Sequence, residues 1–219
     1  MKIENAGLKF DKALTPLKQV KKIIIHHPAH TTWDIKEIHN YHQKSKGWNG
    51  IGYSYFIPKT GGAQLGRGRT IGAHCKGMGM NDKSLGVCFQ GDFDKQIPTE
   101  AQYRDGAKLI AQLLLQEGLQ INDVEPHKNF DATACPGKNF DMSKLKQYIL
   151  EEMNPNVKGT VQTVAEYTMS DGEKRAVNRL AKLGIVAEDF KITNSDQRVM
   201  VSMMGGFVRA VEDGRIKVK

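Results

Sequence analysis

The segment KIIIHH at positions 22–27, followed by Pro28, has the composition of a buried β-strand. Three consecutive isoleucines favour extended structure, because β-branched side chains pack well on a pleated surface. The run is apolar without alternation, which is typical of a strand covered on both of its faces. We therefore predict that this strand lies inside a sheet rather than at its edge.

Helix-like and strand-like patterns alternate after this strand. We predict helices at 32–46, 100–117 and 142–153, and strands at 51–57, 63–66 and 85–90. Thr99 and Gly118 have the residue types of an N-cap and of a helix stop around the longest helical pattern. The Gly-rich stretch 66–82 predicts a loop that folds tightly against its neighbours. Strands and helices in this order predict an α/β fold.

Composition narrows the classes of protein to consider. The 219 residues carry 32 Lys and Arg against 24 Asp and Glu, a formal charge of +8, which favours an anionic partner. No apolar run approaches the roughly 20 residues of a membrane-spanning helix. The first residues lack the apolar core of a secretory signal, so we expect a protein made in the cytoplasm. Three cysteines are too few for a disulfide scaffold.

The chain divides by composition into two predicted domains. Residues 1–153 contain all the elements named above, and 154–160 has the Pro, Gly and polar residues of a linker. Two further helical patterns in 161–219 predict a small, mainly helical C-terminal domain. A unit of this size buries little apolar surface on its own.

The loop 126–137 contains a possible metal-binding pair, His127 and Cys135. An imidazole nitrogen and a thiolate sulfur both suit Zn²⁺. The alternative is a buried structural cysteine and a surface histidine that do not meet. A third ligand is available at the end of the first strand, where alternation allows only one of His26 and His27 to point into a shared site. Two histidines and one cysteine leave a fourth position for water, as in catalytic zinc sites.

Several motifs together resemble the zinc-dependent N-acetylmuramoyl-L-alanine amidases. This family includes bacteriophage lysozyme-type amidases and animal peptidoglycan recognition proteins. The similarity covers about residues 10 to 150 and rests on the order and spacing of six segments: IIIHH at 23–27, IHNYH at 38–42, IGY at 51–53, GAH at 72–74, NDKSLGV at 81–87 and ACPG at 134–137. The resemblance implies a central mixed β-sheet flanked by helices.

The resemblance also assigns roles to individual residues. It implies that His26, His127 and Cys135 bind Zn²⁺, and that His27 is only a neighbour. Tyr53 matches the catalytic tyrosine of the family, although Tyr55 shares its predicted strand face. Thr133 matches a second catalytic position, which is Lys in some members. Cys88 stands where some amidases of the superfamily carry a glutamate base, so we do not expect a carboxylate base there.

Other residues around the predicted site have two interpretations each. The resemblance implies that His74 contacts substrate, and a role in loop packing is the alternative. Arg67 could line a groove for an anionic stem peptide, whereas a solvated surface position is the alternative. We expect His39 to face solvent and Cys75 to be a free thiol without a metal partner.

The leading hypothesis is therefore a peptidoglycan amidase that cleaves the bond between N-acetylmuramic acid and L-alanine. The absence of an export signal makes it look like a phage or prophage endolysin, which acts at the cell wall after release from the cytoplasm. The C-terminal domain faintly resembles a surface-layer-homology-type repeat, which would bind peptidoglycan or anionic wall polymers. A non-catalytic peptidoglycan-binding protein is the second hypothesis, but such members commonly lack the zinc cysteine. Nucleic-acid binding has no motif to support it.

Overall fold

The computed structural model describes residues 1–153 and Asp171. In this part of the chain a mixed β-sheet is flanked by helices, which confirms the predicted α/β fold. The predicted linker 154–160 lies outside the described residues. So does the predicted C-terminal domain 161–219, apart from Asp171.

Nine strands and α-helices follow one another along the described residues. They are β1 (Glu4–Asn5), β2 (Lys22–His26), α1 (Ile35–Lys44), β3 (Tyr55–Ile57), β4 (Gln64–Leu65), β5 (Ser84–Phe89), α2 (Glu100–Glu117), β6 (Val124–Pro126) and α3 (Met142–Met153). Short 3-10 turns occupy three of the connections, at Gly77–Asp82, Ile121–Asp123 and His127–Asn129. In the part of the chain that the structure describes, no helix combines the length and apolar character needed to cross a membrane.

The sheet has the strand order β1-β4-β3-β5-β2-β6. Only the pair β3 and β4 is antiparallel among the described strands, and every other neighbouring pair is parallel. β2 lies between β5 and β6, and its three isoleucines are fully buried, as predicted for an interior strand. Its last residue, His26, pairs with Cys88 of β5.

Helices cover both faces of the sheet, which explains the apolar run in β2. Ile23 and Ile25 belong to the larger core, which contains the buried residues of α2 and α3. On the opposite face, Phe56 and Cys88 pack with buried isoleucines of α1. Because successive strand residues alternate between faces, a strand covered on both sides must be apolar at every position.

The helices begin and end where local hydrogen bonds dictate. The structure confirms 100–117 and 142–153. Thr99 caps α2 through a reciprocal hydrogen-bond pair with Gln102, and Gly118 ends it with φ +67°. The first helix is shorter than the predicted 32–46, because the side chain of Asp34 accepts hydrogen bonds from the backbone of Lys36 and Glu37 and so caps a helix that starts at Ile35.

The short strands are where prediction and structure differ most. The predicted strand 51–57 is wrong for its first four residues, because β3 begins only at Tyr55. The backbone N–H of Gly52 donates instead to Nδ1 of His42 on α1. β1 and β6 have two and three residues and no sequence pattern predicted them.

Candidate metal centre and active site

The end of β2 sends two adjacent histidines to opposite faces of the sheet. The His27 ring stacks on Phe93, and its Nδ1 accepts a hydrogen bond from the backbone N–H of Phe93 at 3.0 Å. The His26 ring lies on the other face, with Nδ1 3.7 Å from the sulfur of Cys135. The alternation of the strand therefore selects His26 for the site.

The loop after β6 brings His127 and Cys135 to the same place. The backbone N–H of Lys128 donates to the carbonyl of Cys135 at 2.9 Å, which closes the loop into a short hairpin-like turn. Thr133 Oγ1 accepts a hydrogen bond from the backbone N–H of Cys135 at 3.2 Å. The backbone N–H of His27 in turn donates to the Cys135 sulfur at 3.4 Å. These bonds fix the thiol between the loop and the end of β2.

Three potential metal ligands thus converge from distant parts of the sequence. One ligand atom each from His26, His127 and Cys135 lies within 4.8 Å of the others. His26 and Cys135 are buried, and His127 is partly buried. The three residues for which the resemblance implied zinc binding therefore form one cluster, and this cluster could hold a metal ion.

One ring nitrogen of each of the two histidines has a hydrogen-bond partner outside the cluster. Nε2 of His26 lies 3.0 Å from Nδ1 of His74, within hydrogen-bonding distance. Nε2 of His127 lies 2.9 Å from Oδ2 of Asp131. In each ligand ring, Nδ1 is therefore the nitrogen left for a metal ion.

Burial sets the protonation of the cluster. It lowers the pKa of His26 well below its usual value, and the neighbouring His74 and His127 lower it further, so the ring is neutral at pH 7. Burial raises the pKa of the Cys135 thiol to about 12. A thiol in this position needs a cation beside it to ionise, and a bound metal ion is such a cation.

The structure separates the two tyrosines that the sequence left equivalent. The Tyr53 ring lies 5.2 Å from the His26 ring between centroids, whereas Tyr55 is buried in the larger core on the opposite face. The periodicity failed because Tyr53 precedes β3 rather than belonging to it. Burial raises the pKa of the Tyr53 hydroxyl well above 10, and the Cys88 and Cys135 thiols add to this shift, so the group is a hydrogen-bond donor at neutral pH.

Thr133 and Cys88, two further positions near the cluster, differ in exposure. Thr133 is exposed, and its hydroxyl oxygen accepts from the Cys135 backbone, which leaves the hydroxyl hydrogen able to donate outward. Cys88 is fully buried beside His26 in the sheet. Burial raises the pKa of its thiol well above 9, so it stays protonated.

The two residues predicted to bind substrate have mainly internal partners. His74 is buried, Nδ1 contacts His26, and Nε2 has no hydrogen-bond partner among the described residues. The Arg67 guanidinium donates to the backbone carbonyls of Asn49, Ile51 and Ile71. These bonds hold the partly buried Arg67 side chain against the backbone, so the alternative of a solvated surface position is wrong, and substrate binding by Arg67 stays a prediction.

One further expectation needs correction. His39 does not face solvent, because it is 5% exposed and its ring bonds the carbonyl of Lys9 and the N–H of Ile51. Cys75 is a free thiol, as expected, and ligand atoms of Cys75, His127 and Asp131 also lie within 4.8 Å of one another. Asp131 was not among the predicted site residues. Its four-residue spacing from His127 was the available signal, because that spacing lets the two side chains meet across one turn.

Comparisons with known proteins agree with this arrangement. The family model described as N-acetylmuramoyl-L-alanine amidase matches residues 16–138, which include all three clustered ligands. Among solved structures, the endolysin N-acetylmuramoyl-L-alanine amidase LysCS from Clostridium intestinale URNW is 27% identical with a TM-score of 0.63. That match covers 68% of this chain and 95% of the endolysin.

Animal proteins are similar over about half of this chain. The N-acetylmuramoyl-L-alanine amidase of Homo sapiens is 29% identical over 126 residues, which are 56% of this chain and 22% of the human protein. Peptidoglycan-recognition protein LB of Drosophila melanogaster is 35% identical over 131 residues, which are 52% of this chain and 53% of the fly protein. The match thus spans about a fifth of the human protein and about half of the fly protein. Since the family model matches more than half of the chain, the chain belongs to the N-acetylmuramoyl-L-alanine amidase family.

Proposed function

We propose that this chain is a zinc-dependent peptidoglycan hydrolase that cleaves the amide bond between N-acetylmuramic acid and the L-alanine of the stem peptide. The convergence of His26, His127 and Cys135 is the observation that carries the proposal. Three protein ligands of the types His, His and Cys are a set found in catalytic zinc sites, whereas structural sites use four.

The distances within the cluster suit zinc. With Zn–N near 2.0 Å and Zn–S near 2.3 Å, two tetrahedral ligand atoms of these types lie about 3.6 Å apart. Nδ1 of His26 and the Cys135 sulfur are 3.7 Å apart. When bound, zinc supplies a Lewis acid that polarises a carbonyl group and acidifies water at neutral pH.

The residues around the cluster have separate roles in this proposal. The Tyr53 hydroxyl donates a hydrogen bond to the negative charge that develops on the scissile carbonyl oxygen. Thr133, which is exposed and hydrogen-bonded to the backbone of Cys135, donates from its hydroxyl to the same charge or to the sugar–peptide junction. Losing one donor of this kind typically costs roughly 3 kcal/mol of transition-state stabilisation.

Cys88 does not act as a general base in this proposal. Burial raises the pKa of the Cys88 thiol, and a thiol that keeps its proton is too weak a base to take a proton from water. The strand position that some amidases of the superfamily use for a glutamate is therefore inert here. Activation of the attacking water is therefore assigned to the metal ion that His26, His127 and Cys135 would hold.

Peptidoglycan is the proposed substrate because the structure of a similar protein contains a bound peptidoglycan fragment. One similar structure, at 27% identity and a TM-score of 0.57, is peptidoglycan recognition protein LE in complex with tracheal cytotoxin, a monomeric diaminopimelic acid-type peptidoglycan. A protein that binds peptidoglycan without cleaving it is the competing function. The complete set of two histidines and Cys135 favours the hydrolase.

The deciding experiment is digestion of purified cell walls with and without a chelator. New N-terminal alanine without new reducing sugar is expected, and the chelator should abolish it. New reducing ends alone would make the protein a glycosidase. Wall binding with no new ends of either kind would make it a recognition protein.

We also propose that the chain is an endolysin that is made in the cytoplasm and acts at the wall after release. In this view residues 161–219 bind peptidoglycan or anionic wall polymers and raise the local enzyme concentration. A chain ending at residue 158 is expected to hydrolyse a soluble muropeptide as fast as the full chain while sedimenting less with intact walls. Equal sedimentation of both chains would contradict the targeting role.

A further inference from the structure

The outer nitrogen of His127 has a charged partner close by. Nε2 of His127 lies 2.9 Å from Oδ2 of Asp131, and the two side chains are 16% and 31% exposed. The backbone supports this contact, because the N–H of Asp131 donates to the carbonyl of His127 at 3.3 Å. The imidazole and the carboxylate therefore meet across a single turn of the loop.

Asp131 and His127 could serve a second metal ion together with Cys75, or they could form a hydrogen bond. Distance distinguishes these two arrangements. Nitrogen and oxygen ligands on one tetrahedral zinc lie about 3.4 Å apart. The observed 2.9 Å is the length of a charge-assisted hydrogen bond. Oδ2 of Asp131 also accepts from the backbone N–H of Lys76 at 3.2 Å. Asp131 is thus a hydrogen-bond acceptor here and not a metal ligand.

This hydrogen bond fixes the tautomer of His127. An ionised carboxylate can only accept, so the imidazole hydrogen must reside on Nε2. With that hydrogen on Nε2, Nδ1 is the ring nitrogen whose lone pair is available to the cluster with His26 and Cys135. A carboxylate in this place also restricts rotation of the ring and makes the ligand nitrogen more basic.

We propose that Asp131 is a positioning residue that holds His127 ready to bind the metal ion through Nδ1. This inference rests on the proposed zinc site and extends it to a residue that touches neither metal nor substrate. Asp131 acts through His127, and its own place is fixed from the Gly-rich loop by hydrogen bonds from the backbone N–H of Lys76 and from the Cys75 thiol.

The close approach of that loop supports the inference. A Cβ atom built on Gly77 would lie 1.8 Å from the carbonyl oxygen of Phe130 and 2.7 Å from Oδ1 of Asp131. Only glycine lets the backbone of 76–77 come near enough for the Lys76 N–H to reach the carboxylate. The loop therefore contributes to the metal site without supplying a ligand.

The test is zinc affinity of the full-length protein, measured by competition with a chromophoric chelator. The wild type is expected to bind one zinc ion per chain. Asp131→Ala should bind it about 10- to 100-fold more weakly. Asp131→Asn keeps an oxygen that can accept from Nε2 and should recover part of that loss. Asp105→Asn, at a hydrogen-bonded aspartate on α2, is the matched control and should bind zinc as the wild type does.

Cobalt provides a second readout that a general loss of stability would not mimic. In the Co²⁺ protein, the visible bands of the Cys135 site should shift in Asp131→Ala and stay close to wild type in Asp131→Asn. If Asp131→Ala does not fold, the zinc affinity of Asp131→Asn alone carries the comparison, and it should still fall below that of the wild type because Asn keeps the acceptor oxygen but loses the charge.

The outcomes separate this inference from the proposed function. A wild type that binds no zinc overturns the proposed function, and the inference with it. A wild type that binds one zinc ion, together with Asp131 variants of equal affinity and spectrum, overturns the inference alone. Two zinc ions in the wild type and one in Asp131→Ala would overturn it in favour of a second metal site.

Discussion

The Tyr53 ring lies 5.2 Å from the His26 ring, centroid to centroid, at the point where the chain enters β3. This contact places a phenol beside the three potential metal ligands, His26, His127 and Cys135. Burial and the nearby thiols keep its pKa well above 10, so it can donate a hydrogen bond at any physiological pH. Proton abstraction by this group is disfavoured for the same reason.

Replacing Tyr53 by Phe removes the donor and preserves the ring. We expect kcat on a soluble muropeptide to fall about 100-fold, the usual effect of losing one oxyanion donor, with zinc content unchanged. Tyr55→Phe is the matched control, because Tyr55 lies in the opposite core and should keep wild-type turnover. Equal activity of the two variants would remove Tyr53 from the reaction.

A second prediction compares two buried thiols. Cys135→Ser should lose both bound zinc and turnover, because a serine hydroxyl is a poor zinc ligand at neutral pH. Cys75→Ser should keep its zinc, because serine can still donate to Asp131 and Cys75 is not a ligand of the proposed site. Metal analysis of the dialysed proteins is the measurement. Zinc retained by Cys135→Ser, or lost by Cys75→Ser, would contradict the assignment of His26, His127 and Cys135 as the zinc ligands.

The longest helix and its caps were predictable from sequence, whereas the start of α1 and the strands β1 and β6 were not. The bounds of α2 are set by Thr99, Gln102 and Gly118, whose capping interactions are local and do not depend on tertiary structure. β1 and β6 contain two and three residues, so their extended backbone depends on pairing with strands that are distant in sequence. Tyr53 was misplaced on a strand because the hydrogen bond from Gly52 to His42 is a tertiary contact.

The same distinction between local sequence signals and tertiary contacts applies to the site. The resemblance identified His26, His127 and Cys135 because residue type and order are properties of the sequence. The partners of their rings follow from loop packing, which residue type does not encode. For this reason Asp131 was missed. His39 was wrongly expected at the surface, because the sequence does not show that Gly50 packs against its ring so closely that an added Cβ atom would lie 2.4 Å from it.

A third prediction concerns the backbone before Tyr53. A Cβ atom on Gly52 would lie 2.2 Å from the carbonyl oxygen of Ala73, a backbone atom that cannot move without shifting the Gly-rich loop. We expect Gly52→Ala to lower the free energy of unfolding of the protein by roughly 1–3 kcal/mol in urea titrations.

Gly47→Ala is the comparison for Gly52→Ala. Gly47 has φ +65° and open space around its Cβ position, so its substitution measures backbone strain without a clash. That strain should cost about 1 kcal/mol. If Gly52→Ala proves no more destabilising than Gly47→Ala, the loop yields easily and the close packing of Gly52 on Ala73 does not stabilise the site.

The last prediction concerns Glu100, which links α2 to α3. Its carboxylate accepts a hydrogen bond from the Tyr148 hydroxyl at 2.6 Å and pairs with Lys144 at 2.9 Å. The hydrogen bonds from Tyr148 and Lys144 hold the pKa of Glu100 below its usual 4.5. A carboxyl whose pKa is lower in the folded state stabilises the protein above its unfolded pKa, and this contribution disappears as the pH falls through the folded value.

Glu100→Gln should therefore be less stable than the wild type at pH 7, by no more than about 1 kcal/mol because the group is half exposed. As the pH falls from 4.5 through the lower pKa of the folded state, the two proteins should converge, because the wild-type carboxyl also becomes neutral below that value. Urea unfolding across this pH range measures the difference, and high salt should reduce it at pH 7 by screening the exposed charges. A difference that stays constant from pH 7 into strong acid would show that Glu100 stabilises the helix pair through its shape and neutral hydrogen bonds, because only the charged form titrates away.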